Sequence, residues 1–424
     1  NAQNPGKVDE EIEKGKWDDL ASIIFTSGTT GQPKGVMLSH GNFITQLDEL
    51  QERIYLYPGD KAICVLPVWH VFQRLVEYVI LSQAASICYS KPIGSVLLPD
   101  MLKLNPTLLP AVPRVFEAVY EGVKKKMRRT GGIVEGLFNF FTSVAILHSR
   151  ISRRLFRKNF RTKYDFIVLS WIFLVIPWIL LAPLKALGNV LVFKKVKAML
   201  GTNFRAGVAG GGAYAKSIDE FFWALGINVV EGYGMTECSP VITCNHPAKF
   251  KFGSVGTPLE CNEIKIVDPD ENGVGEIYVR GSNVMVGYYN DPEATAAAFD
   301  GDWFKTGDFG RIDKDGFLFM VGRKKNLIIL SNGKNVSPEE IEEKLMNNVP
   351  YIKEVLVYQE GEKITGEFFL NEEDYPDARD NLDADVKKVN ATMPAFKRVT
   401  KIVVRDEEFP KTTTMKIARK YHTN

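Results

Sequence analysis

Between the apolar runs Ser22–Phe25 and Val36–Leu38, the stretch FTSGTTGQPKGVMLSH (residues 25–40) gathers glycines at 28, 31 and 35, threonines at 26, 29 and 30, Ser27 and Lys34. Glycine lets backbone N–H groups crowd around an anion, hydroxyls add donors and one lysine adds charge, which together suit a phosphate. The spacing is not that of a Walker loop, because Lys34 is followed by Gly35 and a short apolar run instead of Ser/Thr and a helix. A hairpin loop is expected. Taken alone, the same cluster also fits a flexible surface turn, so the rest of the chain must decide.

Three later stretches could complete a site. EGYGMTE (Glu231–Glu237) follows the strand-like INVV and puts an aromatic ring, a hydroxyl and a carboxylate on what reads as a glycine-containing turn. KTGDFG (Lys305–Gly310) supplies Asp308, an acid able to accept hydrogen bonds from ribose hydroxyls. VGRKKNLIILSNGKNVSPEEIE (Val321–Glu342) offers Arg323, a glycine-containing turn and then a helix opened by Ser337–Pro338. Each is weak alone, since an acid after Thr-Gly is usually a turn residue.

Such residues need a scaffold. Strand-like runs at Ala62–Leu66, Ile227–Glu231, Glu263–Val267 and Gly275–Arg280 alternate with helical patterns at Asp219–Leu225 and Pro338–Met346, which predicts α/β architecture. At 424 residues the chain has room for two or three domains and a large core. With 53 Lys+Arg against 51 Asp+Glu, no global field favours nucleic acid, and no nucleic-acid partner is expected. Five cysteines, odd in number and without zinc-type spacing, read as reduced thiols of a cytosolic protein. Residues 1–19 are polar and charged, without the apolar core of a secretory signal, so a cytoplasmic location is expected.

Residues 150–184 depart from this pattern. Arg150, Arg153, Arg154, Arg157, Lys158, Arg161 and Lys163 come without an intervening acid, and the uncharged run Phe166–Leu184 follows closely. By length this run could just span a bilayer. A single crossing would separate Ser27–Lys34 from the motifs around Tyr233, and Pro177 and Pro183 are expected to interrupt a straight helix. Two readings stay open. One is a monotopic anchor with the basic residues on anionic headgroups and Trp171, Phe173 and Trp178 in the interface; the other is a buried core hairpin.

In their order and spacing, the motifs closely resemble the adenylate-forming superfamily of acyl-CoA synthetases, luciferases and peptide-synthetase adenylation domains. The resemblance runs from about Asp18 to Lys420, and TSGTTGQPKG matches the family's phosphate loop. It implies a large multi-sheet N-terminal AMP-binding domain (1–324, with 150–184 as a membrane-associating insertion) and a small mobile α+β C-terminal domain (325–424), joined by a hinge at Lys325. Only 25 residues precede Thr26, fewer than the family carries there, so the large domain is expected to lack its N-terminal portion.

The resemblance also implies roles. Thr26, Ser27, Gly28, Thr29, Thr30, Gly31 and Lys34 would hold the β- and γ-phosphates of ATP. In AGGGA (Ala209–Ala213), Gly211, Gly212 and Ala213 would contact adenine, with Tyr233 stacking on the ring and Gly234 beside it. Thr236 would contact the α-phosphate, Glu237 would coordinate Mg²⁺, and Asp308 and Arg323 would bind the ribose hydroxyls. In FPKTTTMKIARK (Phe409–Lys420), Lys416 would bridge the substrate carboxylate and the α-phosphate, joining Thr236 and Glu237 as the catalytic set. Met415 replaces the glycine many relatives have there, as in the long-chain branch, and Asn326 stands where aspartate is common.

The acid to be activated is implied by LPVWHVFQR (Leu66–Arg74) and TLLPAVPRVFEAVY (Thr107–Tyr120), both similar to long-chain acyl-CoA synthetases. His70 and Val71 would lie beside the acyl pocket, and the aspartate that amino-acid-activating relatives use there is missing. The implied activity is ATP- and Mg²⁺-dependent ligation of a long-chain fatty acid to coenzyme A, on the inner face of a membrane. The alternatives are a ligase that stops at acyl-adenylate or charges a carrier protein, and a non-catalytic lipid-binding membrane protein of the same fold.

Overall fold

The computed structural model describes residues 4, 6–26, 33–160, 167–212, 214, 216–330, 335–411, 417 and 419, with the side chains of 167–169, 216 and 335 outside that description. The chain opens with an antiparallel hairpin of β1 (Leu20–Thr26) and β2 (Lys34–Ser39), in which Thr26 faces Lys34 across the loop, as expected. Ser39 then caps the next helix by accepting from the Asn42 backbone N–H, while the Asn42 side chain accepts from the Ser39 N–H.

The middle of the large unit is a seven-stranded sheet. It is built from β3 (Lys61–Cys64), α1 (Val71–Ser82), β4 (Ser86–Tyr89), β5 (Leu108–Ala111), α2 (Pro113–Thr130), α3 (Gly132–Leu155), α4 (Ile167–Gly188), β6 (Ala206–Ala209), α5 (Lys216–Leu225), β7 (Asn228–Gly234), β8 (Val241–Cys244) and β9 (Thr257–Pro258). The strand order is 4-3-5-6-7-8-9, parallel from β4 to β7 and antiparallel beyond. Strands such as Leu108–Ala111 and Ala206–Ala209 are buried throughout, as expected where helices cover a parallel sheet.

A second sheet follows, from β10 (Asn262–Val267), β11 (Gly275–Gly281), β13 (Phe299–Asp300), β14 (Trp303–Ile312) and β15 (Leu318–Arg323). Between them β12 (Gly287–Tyr288) pairs back onto β2, so the first hairpin is a three-stranded sheet. The small unit holds a short pair, β16 (Ile328–Ile329) with β17 (Asn335–Val336), then α6 (Pro338–Asn348), β18 (Ile352–Glu360), β19 (Lys363–Leu370), α7 (Ala378–Ala391) and β20 (Lys401–Arg405). Its core, with Val336, Ile341, Leu345, Phe368 and Val386 at its centre, is separate from the two cores of the large unit.

The structure corrects four expectations. EGYGMTE is a turn only at its end: Glu231–Gly234 ends β7, paired with β8, and the turn is Thr236–Cys238; Lys305–Gly310 lies inside β14. The reason in β7 is close pairing; a Cβ on Gly234 would lie 1.8 Å from the Pro240 carbonyl oxygen, so only glycine lets the strands meet there. Pro177 and Pro183 do not break the apolar run, because α4 continues through both to Gly188. Two segments, Gly132–Leu155 and Ser170–Ala198, are long and apolar enough to cross a membrane by length and composition, where the sequence suggested one.

The fourth concerns the basic stretch. Arg150 and Arg153 do not point away from the protein: both pair with Glu220 of α5, at 2.8 and 3.1 Å, and Arg153 is buried with its guanidinium 3.2 Å from the Phe252 ring centre. Lys158 sits over Phe250. Trp178 turns toward α3, donating to Ser152 Oγ at 2.7 Å and stacking on His148. Trp171 and Phe173 are the exposed aromatics of α4. Arg161 and Lys163 lie outside the described residues.

Candidate functional site

Strand alternation decides where Asp308 goes. Along β14 every second residue from Phe304 is buried, so Phe304, Thr306, Asp308 and Gly310 share the inner face. A carboxylate forced into that row needs donors. It has them: Tyr233 donates its hydroxyl to Asp308 Oδ2 at 2.8 Å, and Arg323 Nε meets Oδ1 at 2.9 Å. The backbone N–H of Asp308 donates in turn to Thr306 Oγ1. Arg323 is the register partner of Asp308 across β14 and β15, so their separation of fifteen residues in sequence vanishes in the sheet. Burial and the Asp308 charge both push the Tyr233 hydroxyl well above its ordinary pKa and keep it a donor.

A second cluster forms around Glu237, on the single helical turn Thr236–Cys238 that follows β7. Tyr288 donates its hydroxyl to Glu237 Oε1 at 3.0 Å, and Lys34 Nζ lies 4.9 Å from the centre of the Tyr288 ring. Burial raises the Glu237 carboxyl, the Tyr288 hydrogen bond and the Arg323 charge oppose the rise, and the Asp308 charge adds to it. The two clusters therefore feel one another and form one site. Sequence motifs 200 residues apart are joined because β12 lays Tyr288 along β2, two residues past Lys34.

The remaining expected residues divide. Thr26 and Lys34 face each other at the mouth of the first hairpin, while Ser27, Gly28, Thr29, Thr30 and Gly31 lie outside the described residues, as do Ala213 and Lys416. Gly211 (φ +79°) and Gly212 follow the carboxyl end of β6, next to the end of β7 that carries Tyr233. His70 caps α1, its Nδ1 accepting from the Phe72 N–H at 3.2 Å, and Val71 is buried in the core behind it. Phe72, not Val71, faces the glycine segment: a Cβ on Gly210 would lie 3.4 Å from its ring. Lys325 occupies a single turn, Lys324–Asn326; Lys324 binds Glu276 of β11 at 2.6 Å, and Asn326 donates to Glu339 of α6 at 2.5 Å.

Tyr288 was not foreseen, because no spacing rule connects it to a carboxylate fifty-one residues away. Glu231 and Tyr214 were given no role, although the first opens EGYGMTE and the second follows AGGGA. Together with Arg153, Phe252 and Phe319, and with Glu343 from α6, they line a cavity of about 550 Å³.

Magnesium chemistry fits this donor set. Among the described residues no three His, Cys, Asp or Glu side chains gather as an all-protein cage. Mg²⁺ is ordinarily held by one or two carboxylates together with substrate phosphates and water. Glu237, desolvated and bonded to Tyr288, is a carboxylate of that kind.

Comparison with known proteins agrees with this geometry. Residues 1–289 match the model of the AMP-binding enzyme family, and residues 325–424 match that of the AMP-binding enzyme C-terminal domain. The chain belongs to the AMP-binding enzyme family. It is 33% identical over 380 residues to a chloroplastic long-chain-fatty-acid–[acyl-carrier-protein] ligase of Arabidopsis thaliana, covering 84% of this chain and 52% of that one. It is 29% identical over 447 residues to a long-chain-fatty-acid–CoA ligase of Mycobacterium bovis, covering 98% and 70%. The o-succinylbenzoate CoA synthetase of Bacillus subtilis, solved with its acyl-adenylate intermediate, superposes with a TM-score of 0.68 at 24% identity over 97% of this chain and 70% of that one. The chain spans about half the length of the first of these relatives, and the shared architecture is the adenylate-forming fold with a large N-terminal and a small C-terminal domain.

Glu231 gives a pH test of the site's electrostatics. Burial first, then the charges of Asp219 and Glu343, raise its carboxyl well above the ordinary 4.5. A group whose pKa rises on folding binds its proton more tightly in the folded chain, so its stabilising contribution is complete below 4.5 and is lost as pH rises through the folded value. In thermal unfolding followed from pH 5 to 8, Glu231→Gln is expected to gain on the wild type steadily and to be the more stable protein at pH 8. A wild type that is more stable at pH 8 contradicts the assignment.

Proposed function

We propose that this chain is the core of an ATP- and Mg²⁺-dependent ligase that activates a long-chain fatty acid as its adenylate and passes the acyl group to the thiol of coenzyme A. The observation that carries the reading is the convergence of Tyr233, Asp308 and Arg323 beside Glu237, Tyr288 and Lys34. The first group offers an aromatic face with a buried acid and a base pair of charges for a nucleoside; the second offers a cation and a hard carboxylate for its phosphates. A fatty-acid substrate is supported by the printed activities of the Arabidopsis and Mycobacterium relatives. The same names keep a carrier-protein thiol as the alternative acceptor.

Two displacements make up the reaction. A carboxylate oxygen attacks the α-phosphorus of ATP and the bond to pyrophosphate breaks; the thiolate then attacks the acyl carbonyl carbon and the bond to AMP breaks. In the first step two anions must approach, and Lys416 supplies the positive charge between them, with Thr236 on the α-phosphate. Glu237 would hold Mg²⁺, which when bound would supply positive charge to the phosphates. Asp308 and Arg323 hold the ribose, Gly211 and Gly212 border adenine, and Ser27–Gly31 and Ala213 complete the phosphate and base contacts. His70 acts as a helix cap at the acyl side, where Phe72 also lies. Lys325 serves as the hinge: its neighbour Lys324 is tied to the large domain and Asn326 to the small one, so rotation concentrates on the residue between.

A membrane surface is the partner proposed for α3 and α4. Ile172, Phe173, Ile176, Ile179 and Leu180 of α4 and Ile133, Leu137 and Phe140 of α3 are exposed together. Residues 136–218 contain thirteen Lys and Arg and one acid, Asp165. Since Arg150 and Arg153 are engaged by Glu220, headgroup contact falls to exposed cations such as Lys194 and Lys195. Replacing those two by Gln is expected to weaken binding to phosphatidylserine vesicles by about 1 kcal/mol each; unchanged co-sedimentation contradicts this placement.

The reaction assignment is tested by Lys416→Ala. ATP–pyrophosphate exchange with palmitate should fall by at least about a hundredfold, the scale of one lost transition-state contact, while thioester formation from supplied palmitoyl-adenylate and CoA stays close to wild type. Equal loss in the two half-reactions removes Lys416 from this role.

A further inference from the structure

The helix α2 carries a residue that the nucleotide site does not use. Arg114, the second residue of the helix, reaches out of the large domain and meets Glu354 of β18 in the small domain, Nη2 to Oε1, at 2.5 Å. Glu354 is buried, with its side chain 1% exposed, and it holds two further groups from the small domain's last segment. Lys411 Nζ meets Oε1 at 2.9 Å, and the Phe409 backbone N–H donates to Oε2 at 3.0 Å. One carboxylate thus joins the large domain to the stretch Phe409–Lys411.

That stretch leads directly to Lys416. Lys411 pairs with Ile417, the residue after Lys416 in sequence, in an antiparallel bridge, so both chain neighbours of residues 412–416 are held. The chain just beyond Ile417 is clamped as well: Arg419 pairs with Glu342 of α6 and lies 3.6 Å from Glu339, the acid that also receives Asn326 beside the hinge. Arg114 stands at the other end of this chain of contacts. It follows β5 by three residues, at the carboxyl ends of the parallel strands, where the Gly210 N–H is bonded to the Ala111 carbonyl at 3.3 Å. Five residues from Lys411 to Lys416 extend at most roughly 17 Å.

We propose that Arg114 is a positioning residue of the adenylation step: by docking on Glu354 it holds Phe409–Lys411, the stretch that precedes Lys416 in the chain, at the carboxyl end of the large domain's sheet. This rests on the reading of Lys416 given above. Arg114 acts through Glu354 and that stretch and touches no reacting atom. The contact is suited to being made and broken. When Arg114 withdraws, Lys411 and the Phe409 N–H still satisfy the buried carboxylate, so separation does not strand an unpaired charge. A second cation of the same helix, Arg128, pairs with Asp374 at 2.9 Å and faces the Tyr375 ring, which gives α2 a two-point seat on the small domain.

The test uses the two half-reactions on the full chain, with unfolding midpoints measured in parallel. Arg114→Ala is expected to lower ATP–pyrophosphate exchange at least tenfold, with thioester formation from supplied acyl-adenylate within twofold of wild type. Arg114→Lys, which restores the charge, is expected to recover part of the exchange rate. Loss of both half-reactions together, no loss of exchange, or an Arg114→Lys variant no better than Arg114→Ala overturns the proposal. Lys416→Ala is run in the same assays. If it spares adenylation, the reading of Lys416 falls and this inference with it; if it abolishes adenylation while Arg114→Ala behaves as wild type, the inference alone falls.

Discussion

The Asp308 carboxylate is the constraint on which the site depends. An acid on the inner face of β14, 3% exposed, is tolerable only if charged and hydroxyl donors meet it, and each donor comes from a different part of the fold. Tyr233 arrives at the end of the parallel sheet and Arg323 at the end of β15, one residue before the turn that begins the small domain. Satisfying one buried charge therefore fixes the second sheet against the first and sets the point from which the small domain departs. The adjoining Glu237 cluster depends on the same arrangement, since Arg323 and Asp308 both act on its carboxyl.

The candidate site residues were picked out in the sequence by the resemblance of their motifs to the adenylate-forming superfamily, since each motif is weak alone. An acid after Thr-Gly says little by itself, and only the sheet makes Asp308 and Arg323 register partners; the hairpin that sets Thr26 opposite Lys34 was expected from glycine spacing between two apolar runs. What the sequence concealed is long-range. Tyr288 reaches Glu237 only because β12 pairs with β2, and the Glu231 carboxyl is raised because the fold buries it and brings the charges of Asp219 and Glu343 near. A turn signal misled at Gly234, where glycine serves close strand pairing in place of chain reversal. Both prolines of α4 were read as breakers, yet the helix runs through them.

The basic stretch before α4 shows the same limit. Seven cations in a row look like a surface for anions, but Glu220, about seventy residues on, takes two of them into an internal ion pair and Phe252 covers one guanidinium. Charge counted along a sequence is not charge presented to solvent. Two apolar helices side by side, with outward rows of Ile, Leu and Phe, are what the region offers its surroundings.

The central claim is that Asp308 organises a ribose-binding nucleotide site, and calorimetric titration of AMP and 2′,3′-dideoxy-AMP tests it most directly. Wild type should prefer AMP by at least about tenfold, or 1.4 kcal/mol, because the ribose hydroxyls donate to the Asp308 carboxylate and the dideoxy nucleotide cannot make those hydrogen bonds. Asp308→Asn, nearly the same shape without the charge, should bind AMP more weakly and lose most of that preference while its affinity for the dideoxy nucleotide changes little. A variant that keeps the wild-type preference, or one in which both nucleotides weaken equally, contradicts the account.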